Sequence, residues 1–127
     1  QAGLDKTRHN PDDLTPRVSR EEYREILYDL IKQASLHSIQ LILLTRPYAP
    51  ETKIGYNIAF YNTITKEVAL GKSVPLIDVQ EHFATQSSLF VDDTHFNAEG
   101  LRLMAEFVHD ELSKDGVKAS NSGMLLF

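Results

Sequence analysis

The chain contains no cysteine. Disulfides, thiol catalysis and thiolate metal sites are thereby excluded, a composition that fits a reducing compartment. No block of basic residues occurs and the net charge is −5. That balance argues against nucleic acid or an anionic membrane surface as the main partner. No apolar run is long enough to span a membrane, and no signal-peptide pattern is visible. The sequence therefore reads as soluble, cytoplasmic or secreted after removal of a leader it does not show. Internal repeats and low-complexity segments are absent too. No Gly-rich phosphate loop and no acidic cluster after a first strand support a nucleotide-binding or receiver domain. His9, His37, His82 and His109 have no mutual ligand spacing, so neither a metal site nor a cofactor is expected.

What is present is enough apolar content, 42% of 127 residues, for one domain over residues 1–127 with a real core. Residues 1–18 are polar, carry Pro11 and Pro16, and read as loop. Ser19-Arg20-Glu21-Glu22 is a capping box opening a helix. Its apolar stripe is Tyr23, Ile26, Leu27, Leu30, Ile31 and Ala34. The nearly continuous apolar run Ile39–Thr45 has the character of a strand buried on both faces of a parallel sheet. A loop, Arg46–Pro50, follows at its carboxyl end.

The pattern predicts a second helix over about Ile54–Leu70, with Ile54, Ile58, Tyr61, Ile64 and Val68 on one face and Gly71 as its C′ residue. Val74–Val79 reads as a short strand with Pro75 near its start. Residues 80–89 read as a short helix or turn. The final helix begins near Asn97 as N-cap, turns Leu101, Met104, Ala105, Val108 and Leu112 inward, and ends at Gly116. The tail from Val117 has no clear period, and its apolar end, Met124–Phe127, is expected to dock on a partner or to be an artificial extension. Alternating strands and helices imply right-handed crossovers and a parallel sheet, with sites at the carboxyl ends of strands.

The densest chemical signal is Asp92-Asp93-Thr94-His95-Phe96-Asn97-Ala98-Glu99-Gly100. A carboxylate three residues before a histidine can reach Nδ1–H within one short loop. That contact fixes the tautomer and leaves Nε2 free as a base. An isolated Asp-x-x-His is more often an ordinary polar turn. Here a strand-like segment precedes it and an amphipathic helix follows. Asp93, at the wrong spacing, reads as structural.

The stretch from Ile39 to Leu112 resembles the C-terminal half of an SGNH (GDSL-type) ester hydrolase. Leu43-Leu44-Thr45-Arg46-Pro47 is similar to that family's strand-then-Thr-x-Pro segment, followed by Tyr56-Asn57 opening the next helix. Val74–Val79 is similar to its last strand, and Asp92–Gly100 to its Asp-x-x-His block with a trailing glycine. The resemblance implies a flavodoxin-like three-layer sandwich with a parallel sheet. It implies acyl transfer by a serine, with His95 as general base and Asp92 as its orienting carboxylate. The substrate class it implies is a small-molecule ester, with acylated carbohydrates and lipids both open.

Two departures stand out. Gly-Asp-Ser, the family's nucleophile block, occurs nowhere; Ser19, Ser87, Ser88 and Ser122 follow no Gly-Asp. Where the Gly-x-Asn-Asp block would fall stands Ala2-Gly3-Leu4-Asp5-Lys6, and Leu4 cannot donate to an oxyanion from its side chain. The expectation is a C-terminal piece whose serine and oxyanion donors lie upstream or on another chain. Its exposed sheet edge would then pair with that missing half or with another copy. The rival reading is a catalytically silent SGNH-like module that binds carbohydrate or a protein partner. Arg46 could hold a substrate carboxylate or sugar, and Tyr48 and Tyr56 could line a pocket. A solvated arginine and packed tyrosines are the simpler readings.

Overall fold

A computed structural model describes residues 18–49, 53–114 and 123–127, with the side chains of 53–56 excepted. The expectations for residues 1–17, Ile54, Tyr56 and Gly116 lie outside the described residues. Helix α1, Arg20–Leu36, starts at the capping box: Ser19 Oγ accepts from Glu22 N–H at 3.1 Å, and Glu22 Oε1 accepts from Ser19 N–H at 3.1 Å. Two orphan donors of the first turn are thus satisfied reciprocally. Strand β1, Gln40–Leu44, has Leu41, Ile42 and Leu43 buried, as its unbroken apolar run requires. Helix α2, Lys53–Lys72, returns the chain, and β2, Leu76–Ile77, pairs parallel to β1 with Leu43 opposite Leu76.

The two faces of β1 feed separate cores. Leu41 and Leu43 pack with Leu27 and Ala34 of α1 and Ile64, Val68 and Ala69 of α2. Ile42, on the other face, packs with Ile77, Val79, Phe83 and Leu89, and over these lie Phe96, Met104, Phe107 and Val108. Helix α3, Val79–Phe83, a 3-10 turn at Ser87–Leu89 and helix α4, Ala98–Lys114, make up that second layer. The expected parallel sheet between two helical layers is therefore present. No helix among the described residues is long and apolar enough to cross a membrane.

Four expectations are corrected. The tail, read without a period, is a strand: Met124–Leu126 forms β3, parallel to β1 with Gln40 opposite Met124, giving the order β2-β1-β3, while its side chains stay partly exposed. Phe127 N–H donates to the Ile42 carbonyl at 3.0 Å, and Leu44 N–H to the Phe127 carbonyl at 3.1 Å. The neighbour that β1 needs comes from its own chain, and among the described residues the outer strands of the sheet are β2 and β3. Strand β2 is shorter than Val74–Val79, because Asp78 leaves it to cap α3 by accepting from Glu81 N–H at 3.2 Å. Gly71 stays helical, and the left-handed position after α2 falls on Ser73, at φ 56°.

The inward face of α4 is rotated by about one position. Leu101 is 60% exposed and Ala105 is exposed, whereas Met104, Phe107, Val108 and Leu112 face the core. Gly100 sets that register. A Cβ on it would stand 2.6 Å from the Leu89 carbonyl oxygen and 2.6 Å from Phe96 Cδ1. The helix can approach this closely only where no side chain intervenes. Gly100→Ala should therefore lower stability by about 1–3 kcal/mol through overpacking, despite the better helix propensity of alanine. Urea denaturation of the two chains measures it, and an unchanged midpoint would rule out the tight approach.

Candidate active site

The Asp92–His95 turn is built by the residues around it. Phe90 and Phe96 form an antiparallel bridge, with ring centroids 4.7 Å apart. Val91 N–H donates to the His95 carbonyl at 2.8 Å, and Asn97 N–H to the Leu89 carbonyl at 2.7 Å. Asn97 then caps α4, its Oδ1 accepting from Gly100 N–H at 2.9 Å while its Nδ2 donates to the Ser88 carbonyl at 2.9 Å. A closed loop of five residues, Val91–His95, is left between two anchored aromatic side chains.

Within it the sequence-predicted pair meets. His95 Nδ1 lies 2.9 Å from Asp92 Oδ1 and 2.8 Å from Oδ2. Asp92 Oδ1 also accepts from the Thr94 N–H at 2.9 Å and the His95 N–H at 2.8 Å. The carboxylate is therefore fixed by the backbone before it fixes the ring. With its proton on Nδ1, the imidazole directs its basic Nε2 away from the loop. The His95 side chain is 74% exposed and that of Asp92 55%. Thr94 Oγ1, 3.3 Å from the same Nδ1, borders the pair.

The Thr94 N–H, ahead of the His95 imidazole, holds the Asp92 carboxyl below the ordinary carboxylate range. A carboxyl depressed in the folded state contributes order that is complete above its unfolded pKa and is lost as pH falls through the folded value. On acidification, the amide resonances of Thr94 and His95 should titrate together, with a midpoint below that of an unstructured aspartate. NMR of the labelled chain checks this. A midpoint at or above the unstructured value would mean that the turn is not held by the carboxylate.

The loop joins the carboxyl end of the sheet through the chain segment after β1. Ala49 N–H donates to the Asp93 carbonyl at 2.7 Å. That segment is itself clamped. Asn62, 6% exposed on α2, accepts from Arg46 N–H at 2.8 Å and donates to the Arg46 carbonyl at 2.9 Å. Tyr48 N–H donates to Gln80 Oε1 at 2.7 Å, and buried Thr45 donates to Asp78 Oδ1 at 2.7 Å. Sequence reasoning missed Asn62, Thr45, Asp78 and Gln80 as positioning residues. The one available signal was a pair of polar residues, Asn62 and Thr65, interrupting the apolar face of α2.

Arg46 and Tyr48 sit on this segment, Arg46 exposed and Tyr48 half-buried. Ser19 is spent on its cap, and Ser87 and Ser88 lie in the exposed 3-10 turn. Among the described residues, no serine hydroxyl is hydrogen-bonded to His95. Comparison with known proteins finds no matching family model, curated protein or solved structure.

Proposed function

We propose that this chain supplies the general base and its orienting carboxylate, His95 and Asp92, to a serine ester hydrolase or acyltransferase of SGNH type on a flavodoxin-like sheet. The observation that carries the reading is the doubly anchored pair. Asp92 is held by two backbone N–H groups, and it holds His95 through Nδ1. An imidazole so held keeps Nε2 available to take a proton from a hydroxyl. In the first half-reaction that hydroxyl's oxygen attacks the ester carbonyl as Nε2 accepts its proton. The same proton passes to the departing alkoxide as the tetrahedral intermediate collapses. Water repeats the sequence on the acyl-enzyme and releases the carboxylic acid. On this reading the serine and oxyanion donors come from upstream sequence or from another chain, because neither Gly-Asp-Ser nor Gly-x-Asn-Asp occurs here. The substrate is a small ester, an acylated carbohydrate or a lipid.

The second reading, a silent module that binds carbohydrate or a protein partner, is favoured by two observations. The described residues bring no nucleophile to His95, and Met124–Phe127 leave an exposed apolar edge.

Residues 1–127 by themselves should turn over esters no faster than free imidazole, because a base without nucleophile or oxyanion donors can activate only water. A fluorophosphonate probe with mass spectrometry should leave every serine unlabelled. Stoichiometric labelling of one serine, coupled to ester turnover abolished by His95→Ala, would place the nucleophile inside this sequence. Absence of esterase activity from the polypeptide that includes the upstream segment would favour the silent module.

A further inference from the structure

The carboxyl ends of β1 and β2 open into a cavity of about 400 Å³ that includes neither Asp92 nor His95. Its volume falls within the roughly 300–1,000 Å³ of small-molecule sites, and the ends of parallel strands are where such sites form. The lining is about evenly polar and apolar: Asn62, Thr63, Lys66, Asp78, Gln80 and Glu81 stand beside Tyr48 and Ala59.

The hydrogen-bond inventory of those walls is specific. Asp78 Oδ1 is saturated, accepting from the Thr45 hydroxyl at 2.7 Å and from Glu81 N–H at 3.2 Å. Thr45 is buried, and its Oγ1 accepts in turn from Gln80 N–H at 3.0 Å. Among the described residues, Oδ2 has only the ammonium of Lys66, at 3.9 Å. That separation is too long for a hydrogen bond, yet it leaves room for one oxygen that accepts from Nζ and donates to Oδ2. A hydroxyl does both; a carbonyl or an ether does not. Gln80 spends its Oε1 on Tyr48 N–H, so its Nε2 is a spare donor among the described residues. Asn62 binds the Arg46 backbone through both Oδ1 and Nδ2, which fixes its amide in the wall.

Charge narrows the ligand further. One ammonium faces two carboxylates, Asp78 and Glu81, so a phosphate or carboxylate gains no favourable field. A cation would meet Lys66. A purely apolar ligand would strand the polar groups of this mixed lining. The Tyr48 ring offers one apolar surface for C–H groups.

We propose that this cavity is a binding site for a neutral polyhydroxylated ligand, a sugar or polyol, with one hydroxyl bridging Lys66 and Asp78 and another accepting from Gln80. The proposal is independent of the esterase reading. If both hold, the Arg46–Ala49 segment links them, since Tyr48 lines the cavity and the Ala49 N–H holds Asp93.

The test is an amide-correlation NMR titration of the whole chain with neutral methyl glycosides (gluco, galacto, manno and xylo), with 1,4-dioxane and glucose 6-phosphate as comparisons. Saturable shifts are expected at the Tyr48, Gln80 and Glu81 amides with at least one glycoside. The dissociation constant should be on the order of 1 mM, at the affinity per heavy atom usual for such ligands. Lys66→Met and Gln80→Glu should each weaken binding about tenfold, the usual loss for one hydrogen bond involving a charged or buried partner. Gln80→Glu keeps the acceptor for Tyr48 N–H, and Lys66 is half exposed, so both chains should retain the wild-type spectrum elsewhere. The proposal is overturned if no glycoside shifts these amides saturably. It is equally overturned if dioxane or the sugar phosphate binds as well, or if Lys66→Met binds as tightly as the wild type. Ester turnover enters none of these readouts, so this result and the fate of the esterase reading are separable.

Discussion

On the proposed acyl-transfer reading, replacing His95 with alanine in a polypeptide that also carries the nucleophilic serine is expected to lower kcat on p-nitrophenyl acetate by on the order of 10³ or more. The imidazole is mostly exposed, and its packing contribution is small, so the variant should fold with a stability within about 0.5 kcal/mol of wild type. The loss would then report chemistry, because without a base the hydroxyl stays protonated near neutral pH. Asp92→Asn separates orientation from scaffold. Its amide oxygen can still accept from the Thr94 and His95 N–H groups, but it presents an uncharged partner to Nδ1 and permits the other tautomer. A kcat loss comparable to that of His95→Ala, with the loop spectrum retained, would identify tautomer control as the role of Asp92. Near wild-type turnover by His95→Ala would end the assignment.

How far this site was legible in the sequence depends on distance along the chain. Asp92 and His95 are three residues apart, so the geometry that unites them is a property of one turn and can be read from spacing. The same holds for Ser19 and Glu22. The supports of the site are different. Asn62 reaches Arg46 across 16 positions, and Thr45 reaches Asp78 across 33. Their roles exist only once α2 and β2 lie against β1. Strand β3 shows the same limit. Met124–Leu126 has no period of its own and becomes a strand by pairing with β1. The rotated face of α4 follows from Gly100, whose missing side chain is invisible to a count of apolar residues. What meets Nε2 of His95 could not be read at all, since the candidate nucleophile block is not in these residues.

Phe83→Ala should produce the largest stability loss of any single change considered, about 3–5 kcal/mol. Phe83 is 1% exposed at the end of α3. Its ring meets Phe96 edge-on at 5.4 Å and Phe107 at 6.0 Å, so one side chain joins α3, the catalytic-looking turn and α4. Truncation removes the transfer free energy of the ring and leaves a cavity whose walls are set by the sheet and α4, which can collapse only in part. Against the 5–15 kcal/mol typical of a domain, such a loss removes a large share of the folded state's margin. Urea denaturation should show a lower midpoint at unchanged slope. Leu101→Ala, on the exposed side of α4, should stay within about 0.5 kcal/mol of wild type. The consequence reaches the site as well. Phe96 follows His95 directly and bridges to Phe90, so loss of its support should broaden the amide resonances of Asp92–His95 at temperatures where the chain is still folded. A sharp, unshifted loop in a destabilised Phe83→Ala chain would show that the Asp92–His95 turn is held by its own hydrogen bonds and takes nothing from the aromatic core.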